Sequence, residues 1–164
     1  MRVAGLVQDS IVDGPGLRFA VFVQGCDKDC EGCHNQEAID PSGGVYLSVS
    51  EIIAEMQSNP LTDGLTLTGG EPFLQAGECA ELAAFARNKG MNVWTYSGFT
   101  FEELLDIAKT NPAVSELLEF SHVLVDGRFV LAQRSLSIKW RGSRNQRVID
   151  LPKSLALGEA VELA

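Results

Sequence analysis

No apolar run in this 164-residue chain approaches the ~20 residues needed to cross a bilayer. Met1-Arg2-Val3-Ala4-Gly5 likewise lacks the apolar stretch of a secretion signal. The expectation is a cytoplasmic protein, neither secreted nor integral to a membrane. Positive charge is also short: 13 Lys plus Arg stand against 22 Asp plus Glu, a net charge of -9. A nucleic-acid binder normally carries a basic surplus that neutralises phosphates, so that class is not expected. Internal repeats, low-complexity tracts and linkers are missing, and residues 1–164 read as a single domain. With 45% hydrophobic and 21% charged residues, disorder is excluded. Cysteine is scarce, yet Cys26, Cys30 and Cys33 fall within eight residues while Cys79 stands alone. In a reducing compartment that crowding favours metal chemistry over disulfides.

Along the chain, Leu17 to Gln24 is a nearly continuous apolar run rich in aromatic and β-branched residues, the pattern of a strand covered on both faces. The stretch from Cys26 to Gly44 is rich in glycine and reads as a loop whose order must come from something besides a hydrophobic core, such as a bound metal. Ser48 and Glu51 form a capping box for a helix carrying Val49, Ile52, Ile53 and Met56, which Asn59-Pro60 stops. Leu65 to Thr68 is a short strand closed by Gly69-Gly70-Glu71-Pro72. A helix from about Gln75 to Asn88 then puts Cys79, Leu82, Ala83 and Ala86 on one face, with Gly90 as its C-terminal signal. Met91 to Tyr96 is a strand, and Thr100 with Glu103 caps a helix that Asn111-Pro112 ends. His122 to Val125 is another strand, turned by Asp126-Gly127. Alternating strands and helices imply a parallel α/β sheet, too short for a closed eight-stranded barrel, so an open partial (β/α) barrel is expected. Ile138 to Arg141 and Arg147 to Leu151 would form a C-terminal hairpin.

Cys26-x3-Cys30-x2-Cys33 provides three thiolates directly after a strand. A 4Fe-4S cube normally takes four, so three leave one iron open to a substrate. The competing reading is a structural zinc with His34 as fourth ligand, in a binding module without catalysis. Adjacent side chains diverge, which weakens Cys33-His34 as a zinc pair. Gly69-Gly70-Glu71-Pro72 follows the next strand, and strand C-termini in parallel sheets gather at the rim where ligands bind. Two glycines allow close approach to the backbone, and Glu71 offers an acceptor for a ligand ammonium. Cys79 fits a helix core and reads as inert.

With these two motifs the chain resembles the radical S-adenosylmethionine (SAM) superfamily, whose cluster motif is similar to the cysteine triplet and whose SAM-amino motif is similar to Gly69-Gly70-Glu71-Pro72. Within it, Val12-Asp13-Gly14-Pro15-Gly16-Leu17-Arg18 and Cys33-His34-Asn35 are similar to the opening pattern of the activating enzymes of glycyl-radical proteins. Val123-Leu124-Val125-Asp126-Gly127-Arg128-Phe129 and Trp140-Arg141-Gly142-Ser143-Arg144-Asn145-Gln146 are similar to the branch that serves anaerobic ribonucleotide reductases. Activators of the formate-lyase type are the alternative within the family, and they usually run longer.

The resemblance implies a radical SAM barrel, one 4Fe-4S cluster on Cys26, Cys30 and Cys33, and reductive cleavage of SAM to methionine and a 5'-deoxyadenosyl radical. It further implies the large subunit of an anaerobic ribonucleotide reductase as protein substrate, and a low-potential electron donor such as a flavodoxin. Gly32 departs from the wider superfamily, where an aromatic residue often packs on adenine, and leaves the backbone of Gly32, Cys33 and His34 as the adenine contact. His34 and Asn35 could orient SAM or be scaffolding. Thr95 and Ser97, ending a strand, are candidates for the SAM carboxylate or ribose. Asp126 is a candidate for a monovalent cation beside SAM. Six basic residues from Arg128 to Arg147 have no acid among them, which leaves the remainder of the chain at -15. That stretch suggests a docking surface for an acidic partner patch.

Overall fold

A computed structural model describes residues 1–163. It holds seven strands, β1 (Arg2–Ser10), β2 (Arg18–Val23), β3 (Val45–Tyr46), β4 (Gly64–Gly69), β5 (Asn92–Tyr96), β6 (Val123–Asp126) and β7 (Arg147–Asp150). Five helices accompany them: α1 (Val49–Gln57), α2 (Ala76–Asn88), α3 (Phe101–Ala108), α4 (Pro112–Phe120) and α5 (Leu151–Leu157). All strands join one sheet in the order β3-β1-β2-β4-β5-β6-β7. The four central strands are mutually parallel, and β1, β3 and β7 are antiparallel additions at the flanks.

Local chemistry explains most of the boundaries. Both expected capping boxes form: Ser48 Oγ accepts from the Glu51 N–H at 3.1 Å, and Thr100 Oγ1 accepts from the Glu103 N–H at 3.1 Å. Phe19, Val21, Leu65, Leu67 and Val93 are buried against Leu82, Ala83 and Ala86 of α2 and Leu117 of α4 in one continuous core. Cys79 lies in that core at 0% exposure, where burial drives its thiol pKa far above the ordinary range.

One expectation is incomplete and another fails. Asn111-Pro112 ends α3, but it also starts α4: Asn111 Oδ1 accepts from the Ala113 N–H at 3.1 Å, and Pro112 takes the first helical position, where a missing N–H costs nothing. The C-terminal hairpin is absent, since 138–141 is not a strand. Arg147–Asp150 pairs instead with β6, from Val123↔Asp150 to Asp126↔Arg147. Alternation of side chains permits either pairing, and β6 supplies an ordered strand edge that 138–141 does not. Residues 161–163 then return to β7, with the Leu163 N–H donating to the Val148 carbonyl at 2.8 Å.

His122 ties β5 to β6 at the end remote from the cysteines. Its Nδ1 accepts from the Val93 N–H at 2.9 Å, and burial, aided by Arg87 and Arg18, holds the imidazole below its usual pKa. An unfolded histidine takes up its proton near pH ~6.5 while the folded one resists, so stability is lost as pH falls below that value. Urea midpoints at pH 7.5 and 5.5 should differ more for the natural chain than for His122→Gln. Equal differences would show that His122 does not set this dependence.

Candidate functional site

The parallel strands deliver their C-terminal ends to one rim. Gly25 and Cys26 follow β2, and their N–H groups donate to Ala38 and Ile39 carbonyls at 2.7 and 3.0 Å, closing the cysteine loop at its base. Gly70 and Glu71 follow β4, donating to Val23 and Gly25 carbonyls, both at 2.8 Å. At Gly70 a Cβ would run into the Gly25 carbonyl oxygen, so only glycine lets the two loops approach this closely. Ser97 and Gly98 follow β5, and the Ser97 N–H donates to Val125 of β6 at 2.9 Å.

A cavity of about 770 Å³ opens at this rim, within the usual range for a bound small molecule. Phe22, Thr68, Tyr96 and Val125, each on a different parallel strand, share in its lining. So do Cys26, Cys30, Cys33, His34, Asn35, Gly69, Gly70, Glu71 and Ser97. The three loop cysteines are free, half-buried thiols, and the Asn35 N–H donates to Cys33 Sγ at 3.4 Å. Among the described residues no three His, Cys, Asp or Glu side chains gather tightly enough to grip one metal ion. A 4Fe-4S cube takes one thiolate per iron, and three thiols on one loop are the donor set for a cube with one iron left without a protein ligand. The His34 ring is turned against Phe129, with centroids 5.0 Å apart.

Other sequence candidates land elsewhere. Thr95 lies on the opposite face of β5 from Trp94 and Tyr96, fully buried, with its hydroxyl 2.7 Å from Ser121 Oγ. Strand alternation, which sends neighbours to opposite faces, separates it from Tyr96 and the cavity. Asp126 is 1% exposed and outside the cavity lining. Its carboxylate accepts from the Phe101 N–H at 2.7 Å and from Arg147 Nε and Nη2 at 3.1 and 2.6 Å. Those carboxylate bonds push the Arg147 pKa upward. Pro72 is buried in the turn leading to α2. Gly32 stands exposed at the loop tip beside Leu131 and Phe129, outside the cavity lining.

Glu71 lines the cavity but is not a free acceptor. It is 1% exposed, and its oxygens receive the Phe73 N–H (3.1 Å), the Ser97 hydroxyl (2.9 Å) and the Gly98 N–H (2.8 Å), with Lys28 Nζ at 3.6 Å. Burial pushes its carboxyl pKa up, and Lys28 with these donors pulls it back. The Gly69 carbonyl at the same rim accepts the Asn35 side-chain amide at 3.4 Å.

Sequence reasoning missed several lining residues. Tyr96 Oη and Arg141 Nε are buried beside the cavity with no hydrogen-bond partner among the described residues. Trp140 stacks edge-on against Trp94 at 5.8 Å. Arg18 is fully buried without a carboxylate contact, bonding to Thr66, Pro15, Leu65 and Asn92, and desolvation pulls it down to about 10. Tyr96 could have been found from its place two residues beyond Trp94 on a strand ending at the rim; Arg141 stands within the Trp140 to Gln146 motif, which gave it no role at the site.

The chain matches the family of 4Fe-4S single cluster domains over residues 12–149. It is 37% identical over 144 residues to the anaerobic ribonucleoside-triphosphate reductase-activating protein of Vibrio cholerae, covering 83% of this chain and 89% of that one. The protein of the same name from Enterobacteria phage T4 is 32% identical over 84% of this chain and 86% of its own length. That from Escherichia coli K12 is 32% identical, over 84% and 91% respectively.

Proposed function

The chain belongs to the family of anaerobic ribonucleoside-triphosphate reductase-activating proteins, and we propose that it generates a glycyl radical on that reductase by reductive cleavage of SAM. The observation that carries this reading is the convergence of Cys26, Cys30, Cys33, Gly69, Gly70 and Ser97 on one cavity. The three thiols would hold one 4Fe-4S cluster with an open iron. When bound, the cluster and SAM supply one-electron cleavage of the sulfonium and a carbon radical that removes a glycine Cα hydrogen.

The protein's own groups bind and orient. The Gly69 carbonyl receives the ligand ammonium, while the Ser97 hydroxyl stays committed to Glu71. Tyr96 Oη and Arg141 Nε, orphaned in the structure, offer a polar pair to ligand oxygens or to the main chain of an inserted glycine segment. Phe22, Val125 and Trp140 keep water from the deeper cavity. Asp126 already has its positive charge from Arg147, so a monovalent cation there would have to displace that guanidinium. Lining by four successive strands supports a concave, partial-barrel reading of the sheet. A low-potential donor of the flavodoxin type fits the electron demand. No helix among the described residues is long and apolar enough to cross a membrane, and we place the protein in the cytoplasm.

The partner completes the site. Ile11, Val12 and Leu136 stand 69%, 73% and 87% exposed at the mouth, where an apolar partner surface would cover them. Of the six basic residues of the C-terminal stretch, Arg128, Arg134, Lys139 and Arg144 are exposed. Arg147 is bound to Asp126 and Glu102 and is structural. Arg128→Ala with Arg144→Ala should slow association with the reductase by about threefold to tenfold at low ionic strength, with SAM turnover retained. An unchanged association rate would remove the docking role.

The function itself is tested with reductase deuterated at glycine Cα. After anaerobic reaction with SAM and reductant, deuterium is expected in 5'-deoxyadenosine and a glycyl-radical signal on the partner. Activation accompanied by unlabelled 5'-deoxyadenosine would exclude direct transfer.

A further inference from the structure

Lys28 lies inside the cysteine loop, between Cys26 and Cys30, yet its side chain is only 3% exposed. A lysine so enclosed must find anionic and aromatic company in place of water. Its Nζ is 2.7 Å from Asp27 Oδ1, 3.6 Å from Glu71 Oε1 and 3.2 Å from the centroid of the Phe99 ring. Asp27 is 53% exposed, whereas Glu71 is 1% exposed and has no other cation within 4 Å among the described residues. The slot is shaped for the lysine stem. A Cβ on Gly98 would collide with Lys28 Cδ, so a larger residue there would expel it. One ammonium thus joins three segments: the cysteine loop, the turn after β4 and the turn after β5.

We propose that Lys28 is a positioning residue, a charge latch that neutralises Glu71 and thereby fixes the cysteine loop against the strand ends before any cluster is bound. It acts through Glu71, whose bonds to Ser97 and Gly98 hold the ligand-facing backbone. Without the ammonium, Glu71 keeps an uncompensated buried charge, and the loop loses the contact that aims its thiols into the cavity. The latch is a property of this chain alone; only its effect on SAM rests on the function proposed above.

The full-length, cluster-free protein under anaerobic conditions provides the decisive assay, with thiol reactivity toward dithionitrobenzoate as the readout. Lys28→Met keeps the apolar stem and removes the charge; because that charge also favours the Cys26 thiolate, rates are compared on their high-pH plateaus, where Lys28→Met should raise the reaction rate of the loop thiols at least about fivefold. Cys79, buried in the core, should stay unreactive and report an intact fold. Lys28→Arg should restore most of the protection. Gly98→Ala, which crowds the stem while leaving the charge, should imitate Lys28→Met, and the double variant should be no worse than either single one. If Lys28→Met exposes Cys79 by unfolding, Gly98→Ala decides the question in the same assay. Loop-thiol rates equal to those of the natural chain, or equal acceleration in Lys28→Arg and Lys28→Met, would overturn the latch. In reconstituted protein, equilibrium dialysis with SAM should show about tenfold weaker binding for Lys28→Met. Failure of the natural chain to bind SAM would count against the proposed function and leave the thiol assay to judge the latch.

Discussion

Cys26→Ala, Cys30→Ala and Cys33→Ala should each emerge from anaerobic reconstitution without a stable 4Fe-4S cluster, with iron falling from about four per chain to below about one. Glycyl-radical formation should fall to background in all three. On the proposed assignment three thiolates leave one iron of the cube without a protein ligand, so the loss of another would leave two anchors in a loop open to water. Cys79→Ala should keep its cluster and lose only about 1 kcal/mol of stability, the cost of a small cavity in the α2 core. Iron and sulfide analysis with electron paramagnetic resonance checks all four variants. A cluster lost from Cys79→Ala but retained in Cys30→Ala would reverse the assignment.

Glu71→Ala is expected to have the largest effect on the fold. It would strip an acceptor from the Phe73 N–H, the Ser97 hydroxyl and the Gly98 N–H, and leave Lys28 with only the exposed Asp27 as its anion. Breaking one side of a buried ion pair costs about 3–5 kcal/mol, which lowers the melting temperature on the order of 10 °C for a chain of this size. Glu71→Gln keeps an acceptor and the side-chain volume, and should lose about 1–3 kcal/mol. Thermal and urea unfolding of the cluster-free protein measure this without reference to catalysis. A Glu71→Ala variant as stable as the natural chain would mean that the carboxylate is hydrated and its bonds exchangeable with water.

The two capping boxes, the α2 stripe and the four parallel strands were legible because each depends on residues within a few positions of one another. Asn111-Pro112 was read as a stop only, although the same two residues cap and start α4; a proline restricts the residue before it and suits the first turn after it. The hairpin expectation failed at a different level. Nothing local distinguishes a β7 that pairs with 138–141 from one that pairs with β6.

The same division runs through the site. The cysteine triplet and the Gly-Gly-Glu-Pro turn name their chemistry through residue type and spacing, and so the sequence by itself determined the family and supplied the proposed cluster ligands and the strand ends that form the rim. Glu71 was expected to offer an acceptor to a ligand; it lines the cavity, and tertiary structure adds protein donors to its oxygens, because a carboxylate buried to 1% exposure must be satisfied by the nearest donors. Those donors come from residues 2 to 43 positions away in the chain, on three separate segments. Asp126 was diverted in the same way by Arg147, and Thr95 by the alternation of its strand. Chemical identity is written in residue types at short range, whereas the partner that satisfies each buried charge is chosen only when the sheet brings distant segments together.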